Sequence, residues 1–421
     1  MRIVVHLLFW TLVGIAGTPN AMGQQLWEVF DMATSGLPSN TITDLVQDHQ
    51  GDIWAGTDWG LCRFDGTAWE VIQTSNSGLP GDDVSCLSVD AQGRLWVGTV
   101  SHGIGILEDG AWSYLDNTNS PIVTEGVKHI LHDHRDWVWI STELGLYCDT
   151  GEEWRHYDHT PESYAGFTFF GPNVRAVDVR EDGLVAVATM NAGLTYLTES
   201  EFIYYTAASS NFPDNSMNDV ALDGNGDRWL ACPAGGLIWH ASTFMGGPWF
   251  QYTAANVGLP DNTLLCIIVD EDDRKIIGSE TGGVIIFEGP GTFSVLDEAN
   301  SGLPDDHVRC VMMDDEGVLW AGTNIGGIAR FDPTMRLEEY SQVPDINVYP
   351  NPATEIVHIR PSHGSGGMQW RVIDPTGKVV QEGTTRSEEE VIVDLSNVSS
   401  GVYALSVLQF GRMTTLQVIR N

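Results

Sequence analysis

SGLPSNTITDLVQDHQGDIWAGTDWGLCRFDGTAW, residues 35–69, decides how the rest of the chain is read. A Gly-Leu-Pro turn (Gly36, Leu37, Pro38) leads into an apolar run. Asp48-x-x-Gly51 breaks that run, and Trp54, Gly56-Thr57, Gly60-Leu61, Phe64, Asp65-Gly66 and Trp69 follow. The pattern returns six more times. The glycine of its Trp-x-Gly-Thr unit recurs as Gly56, Gly98, Ser141, Ala188, Ala231, Gly278 and Gly322, at intervals of 42, 43, 47, 43, 47 and 44 residues. That period is the size of one four-stranded propeller blade and exceeds a leucine-rich or ankyrin unit.

Each repeat divides into four short strands. The first strands are expected at 42–47, 84–89, 127–132, 174–179, 217–222, 264–269 and 308–313. A tight turn follows each, as at Asp48, Asp90, Asp223 and Asp314; the aspartate bonds to its own turn and a glycine supplies positive φ. The second strand carries Trp54, Trp96, Trp139, Ala186, Trp229, Ile276 and Trp320 at one position. The fourth opens on Trp69, Trp112, Trp154, Phe202, Trp249, Phe293 and finally Leu337. Aromatics at so fixed a register read as core, each burying roughly 150–250 Å², about 4–6 kcal/mol before entropy. Leu26-Trp27-Glu28-Val29-Phe30 repeats the pattern of Ala68-Trp69-Glu70-Val71-Ile72 ahead of the first repeat. An open sheet edge invites aggregation, so the Trp27 strand is expected to complete the last blade. The alternative is that residues 337–340 form that strand.

Composition limits the partners. The net charge is −37 and the only lysines are Lys128, Lys275 and Lys378, which sets nucleic acid and anionic membranes aside. Arg2, the apolar run 3–17 and the small residues Ala21 and Gly23 read as a cleaved secretory signal over 1–23, with no membrane span after it. Cys86, Cys266 and Cys310 share one repeat position, so cysteine reads as a small apolar filler; a Cys266–Cys310 bridge between neighbouring repeats stays open. The rhythm stops after Gln342. Residues 343–345 read as a linker, and 346–421 alternate in short strands that fit a small sandwich, with a hairpin turning at Asp374-Pro375-Thr376-Gly377. The expected architecture is all-β: a signal peptide (1–23), a seven-bladed β-propeller (24–342), the linker, and a small Ig-like β-sandwich (346–421).

The Gly-Leu-Pro units beginning at Gly36, Gly78 and Gly302 resemble two-component-regulator propeller repeats. That family occurs as periplasmic sensor domains of hybrid histidine kinases, where paired propellers recognise oligosaccharides. The Asp-x-x-Gly-x-x-Trp rhythm is also similar to that of streptogramin lyases, but no catalytic set matches theirs. The tail resembles the type A C-terminal sorting domain of the type IX secretion system. The matching residues are Tyr349-Pro350-Asn351-Pro352, Gly377-Lys378, Asp394-Leu395-Ser396, Gly401-Val402-Tyr403 and Gly411; Arg412 and Arg420 stand where the family often has lysine. This resemblance implies export through the periplasm, recognition by the type IX machinery, removal of the tail, and release or anchoring at the cell surface.

In a propeller, loops entering the first strand and loops joining strands two and three share one face. Candidate ligand contacts there are Trp59, His102 and the first-strand cations Lys128, Arg175 and Arg309, suited to an anionic sugar or a carboxylate. A longer loop at 159–170 adds Tyr164 and Phe167. His129, His132, His134, His156 and His159 concentrate in repeat three, but His129 and His132 point to opposite faces of a strand, so no metal site is expected there. Asp223, Asn225 and Asp227 offer a weak calcium loop at an ordinary repeat turn; no other cofactor is expected. The functional expectation is a non-catalytic module binding glycan or protein. A propeller lyase or hydrolase and a ligand-free surface scaffold are the alternatives.

Overall fold

The computed structural model describes residues 27–331, apart from 123–125, 159–162, 164–172, 199–201, 211, 242–248 and 290–291. It also describes 346–420, apart from 352, 362–367, 375–377, 386–390 and 410–411. The expected signal, the linker and Leu337 lie outside these residues.

The repeat builds its sheets from one turn. Asp48 Oδ1 accepts from the backbone N–H of Gln50 (2.9 Å) and of Asp52 (3.0 Å), while Oδ2 accepts from the indole Nε1 of Trp54 at 2.7 Å. One carboxylate therefore shapes the hairpin between strands one and two and satisfies the polar atom of a buried indole. Asp90 with Trp96, Asp133 with Trp139, Asp223 with Trp229 and Asp314 with Trp320 repeat the arrangement. All five indoles are buried, as their register predicts. The fourth-strand residues Trp69, Trp112 and Trp154 are half-buried at the outer margins.

Residues 27–331 form seven four-stranded antiparallel sheets. Sheet one is Ile42–Gln47, Ile53–Thr57, Gly60–Phe64 and Trp69–Ile72. Sheets two to six repeat it with consecutive strands. In sheet five the first strand begins at Asp219 rather than Met217, whose N–H bonds the Thr189 carbonyl. Sheet seven contains Val308–Met313, Leu319–Thr323 and Ile328–Phe331, and its fourth strand is Trp27–Phe30. Trp27 faces Phe331 and Phe30 faces Ile328. Trp27 is fully buried; its indole donates to Ser301 Oγ at 3.2 Å, and its ring meets Phe331 edge-on at 5.3 Å. The first strands are neighbours all the way round, the seventh lying against the first, so the sheets close around an axis.

The sheets share apolar cores with their neighbours. Cys310, Trp320 and Ile328 of sheet seven pack with Ile42, Leu45, Ala55 and Phe64 of sheet one. Closeness is set by the Trp-x-Gly-Thr glycine. A Cβ on Gly278 would stand 2.6 Å from Cys266 Sγ and 2.9 Å from Val308 Cγ1 of the next sheet. Gly98 with Cys86 and Gly322 with Cys310 are the same cross-strand pair. In sheet four it becomes Ala176 opposite Ala188: the atom removed from one side is added on the other. All six cysteines are free thiols, so the Cys266–Cys310 bridge does not form.

The tail makes two sheets. Ile346–Tyr349, Ile356–Pro361 and Val391–Asp394 form one; Met368–Ile373, Val379–Thr385, Gly401–Gln409 and Arg412–Arg420 form the other. Val357, Ile359 and Val393 from the first share a core with Val372, Leu405, Val407 and Val418 from the second, which makes a sandwich. The expected hairpin is Met368–Ile373 paired with Val379–Thr385.

The volume exchange predicts a double-mutant result. Gly322→Ala should cost about 1–3 kcal/mol by overpacking against Cys310 and Ile42. Adding Cys310→Ala should recover much of that loss, because the pair then matches Ala176 and Ala188. Urea unfolding of both variants measures the coupling; additive costs would refute the exchange.

Candidate functional site

The loops between strands two and three meet the loops that enter the first strands. Val100 N donates to Asp83 O, Glu280 N to Thr263 O and Asn324 N to His307 O, while Gly327 N, in the loop after Asn324, bonds Asn40 O of the next sheet. These bonds stitch one face together. The expected contacts lie on it, with different environments. Trp59 is 63% exposed and its carbonyl accepts from Gln73 Nε2. His102 Nδ1 stands 3.2 Å from Asp83 Oδ1. Lys128 is half-buried and paired with Glu143 at 2.7 Å. Arg175 reaches Asn218 Oδ1 at 3.4 Å, and burial holds its pKa below the usual guanidinium value. Arg309 is exposed and donates to the Asn324 amide oxygen at 3.2 Å, with no ion pair among the described residues. Arg309 is thus the cation of the three most available to a ligand; Lys128 is already neutralised. Tyr164 and Phe167 lie outside the described residues.

Sequence reasoning missed part of this face. Val100 (46% exposed), Leu144 (39%) and Ile325 (70%) stand one or two residues after the same threonine position as Trp59. The four residues crown adjacent sheets, seven, one, two and three. Met32, on the loop entering sheet one, is also exposed. The equivalent loops of sheets four to six expose Asn191, Ala234, Glu280 and Thr281 instead. The exposed large apolar side chains of these loops are therefore confined to one arc, where they alternate with polar residues such as Asp58, Ser101 and Glu143.

Below the face, the third position of the inner strands carries Asp44, Cys86, His129, Ala176, Asp219, Cys266 and Cys310. Inner strands are sheet edges with backbone groups to satisfy, and this layer does so across sheet boundaries. Asp44 Oδ2 accepts from Leu87 N at 2.7 Å, Asp219 Oδ2 from Ile267 N at 2.8 Å, and His129 Nδ1 from Val177 N at 3.4 Å. Two positions further on, Asp178 Oδ2 accepts from Leu222 N at 2.7 Å. Burial pushes Asp44 up to about 6 and Asp219 up to about 7, against the backbone bonds that favour their charged forms. Burial likewise drops His129 to about 4. These groups hold blades together.

The residues weighed as metal candidates take part in turns, hydrogen bonds and ring stacking. Asp223 Oδ1 accepts from Asn225 N and Asp227 N, and its Oδ2 from Trp229 with Lys275 Nζ at 3.2 Å; Asp227 Oδ2 accepts from Trp239 Nε1. Those oxygens work as the other repeat turns do. His132 faces Ser88 Oγ and the Trp96 ring, His129 faces Val177, and His156 stacks on Tyr147 at 4.1 Å. Among the described residues no group of three or more His, Cys, Asp or Glu side chains is placed to hold a metal ion. In the tail, Asn351 Oδ1 accepts from Ile419 N, tying the Tyr349-Pro350-Asn351 segment to the last strand. Tyr349 stacks on His358, Lys378 N bonds Asp374 Oδ1, Gly401 opens its strand, and buried Tyr403 donates to Ser399 O. Pro352 and Gly377 lie outside the described residues.

The model of the secretion system C-terminal sorting domain matches residues 347–421, and that of the two component regulator propeller matches 36–59, 78–101 and 302–324. The chain carries both, and its sorting domain marks it for recognition by the type IX machinery and for secretion to the cell surface or beyond. Among solved structures, the extracellular domain of a putative hybrid two component system from B. thetaiotaomicron is 18% identical at a TM-score of 0.66, covering 94% of this chain and 58% of that one. PorZ, an essential surface component of the type-IX secretion system of Porphyromonas gingivalis, is 16% identical at 0.55, covering 94% and 61%. Virginiamycin B lyase from Staphylococcus aureus is 11% identical at 0.55, covering 72% and 98%. At these identities the likeness is one of fold, and the chain spans about three fifths of the first two relatives. No curated protein matches it in sequence. Among the described residues no helix is long and apolar enough to cross a membrane.

The inner acids predict a pH dependence. The unfolded chain loses these protons near pH ~4 and the native chain near 6 and 7. Between those values the native state holds more protons, so their contribution to stability falls as pH rises. Asp219→Asn keeps the acceptor for Ile267 N and should lessen the fall by up to about 1.4 kcal/mol per pH unit. Denaturant unfolding across that range, variant against wild type, checks it; parallel curves would refute it.

Proposed function

We propose that the chain is a secreted or surface-displayed, non-catalytic binding module that captures a glycan or protein ligand on its loop face. The observation that carries this reading is the arc of Ile325, Trp59, Val100 and Leu144, exposed on the same loop of four adjacent sheets, three of them at one repeat position and Val100 one residue earlier. Four apolar side chains kept in water on the same loop of adjacent sheets are costly unless covered by a partner. Trp59 is suited to stacking on a sugar ring or filling a protein pocket, as aromatic anchors do. Arg309, on the inner side of the arc in sheet seven, adds a charge for a carboxylate. The stitched backbone beneath makes the surface pre-formed, so little ordering entropy is lost on binding. That B. thetaiotaomicron and P. gingivalis proteins of this fold are extracellular or surface components is in keeping with such a role.

The test is a glycan array together with a surface-protein pull-down, using the full chain. A ligand found on either should bind Trp59→Ala/Ile325→Ser at least about tenfold more weakly, a loss of ~1.4 kcal/mol, with unfolding unchanged. A ligand indifferent to that variant and to Arg309→Ala would move the site elsewhere. Absence of any ligand would favour the scaffold reading.

A further inference from the structure

Sheet four breaks the repeat. Its turn is Arg180-Glu181-Asp182-Gly183, with arginine where Asp48 and its equivalents stand, and Ala186 replaces the tryptophan. The turn backbone is unchanged: Arg180 N bonds Leu184 O at 2.9 Å and Gly183 N bonds Arg180 O at 2.8 Å, as Asp48 and Gly51 do in sheet one. Asp182 Oδ1 takes over one turn bond, from Leu184 N, and pairs with Arg180. No aspartate side chain at position 180 is there to face the next sheet.

Sheets five and six show what that acid does. Lys275 opens the second strand of sheet six, is 5% exposed, and lies over the Trp229 ring at 4.5 Å with its Nζ 3.2 Å from Asp223 Oδ2, the turn carboxylate of sheet five. Arg228 is the same position in sheet five. It is 2% exposed and lies over the Tyr196 ring of sheet four at 4.9 Å. Where Lys275 finds a carboxylate, Arg228 finds, among the described residues, the Ala241 carbonyl, accepting from Nη1 at 3.2 Å. Tyr196, the cross-strand partner of Ala186, and His240, that of Arg228, are each 1% exposed. Arg228 Nε, Tyr196 Oη and both ring nitrogens of His240 are buried without a hydrogen-bond partner. Asp227 acts on His240 through space, but among the described residues no carboxylate makes an ion pair with Arg228, and a buried guanidinium so placed beside unpaired donors is costly.

We propose that a chloride-sized anion binds between sheets four and five, held by Arg228 Nε–H, the Tyr196 hydroxyl and one His240 N–H, in place of the carboxylate that sheet four lacks. The donors are hard N–H and O–H groups around a fixed positive charge, which selects an anion. Their burial selects a small one that is enclosed as the sheets pack. Burial, with Arg228 nearby, holds His240 down to about 4, so at neutral pH it contributes a single N–H.

Thermal unfolding of the full chain in sodium chloride and in sodium gluconate at matched ionic strength tests the site. Chloride should raise Tm saturably, on the order of 5 °C at a hundredfold excess over Kd. Arg228→Leu, which installs the residue of the same position in sheet two, should abolish the difference. Arg180→Asp should also abolish it, with its Tm in gluconate raised towards the chloride value. Bromide-soaked crystals should give an anomalous peak beside Arg228. No chloride effect in the wild type, an effect that survives both substitutions, or a water alone at the site would overturn the proposal.

Discussion

The structure depends on a single carboxylate used repeatedly. In five of the seven sheets a turn aspartate accepts two backbone N–H groups with one oxygen and a buried indole N–H with the other. An indole enclosed between sheets would otherwise leave its donor unpaired, and a charged acceptor makes the stronger bond. The same contact fixes the hairpin and the rotamer of the largest core residue at once. Local turn chemistry and long-range packing therefore point to one structure, the consistency that gives a sequence a well-separated native state.

The second constraint is volume. Where sheets approach most closely, glycine opposite cysteine and alanine opposite alanine are equivalent fillings of one space. This explains buried thiols in an exported chain without invoking bridges: sulfur supplies bulk, and burial raises the pKa, Cys62 for example to about 12. The exchange also makes apparently degenerate repeats structurally sound. Sheet four departs from the motif at the turn, the tryptophan and the glycine together, yet keeps its ladder.

Features that repeat were legible in the sequence. The period, the buried Trp54 and its equivalents, the closing role of Trp27 and the tail hairpin all follow from spacing. Features that occur once were not. Asp44 and Asp219 share their position with cysteines and an alanine, so nothing in the spacing marks them as acids that clasp the next sheet. Val100, Leu144 and Ile325 follow a threonine at a fixed place, but Ser101, Glu143 and Asn324 beside them made the loops read as polar. Lys128, Arg175 and Arg309 look alike along the chain, and only packing separates the neutralised Lys128 from the open Arg309. Asp223, read as a weak calcium candidate, holds its turn and Trp229 as Asp48 holds its own turn and Trp54.

The pairing of Trp27–Phe30 with Ile328–Phe331 has a consequence for assembly. The strand that completes the circle is the first of it to be synthesised, and its partner is the last. Blades can form as local hairpins while the polypeptide emerges, but the circle cannot shut until residue 331 is available. The sorting tail lies beyond that final strand in sequence. Any chain long enough to present the tail has already presented every strand of the circle, so a product terminated before residue 331 would lack the address as well as the seal.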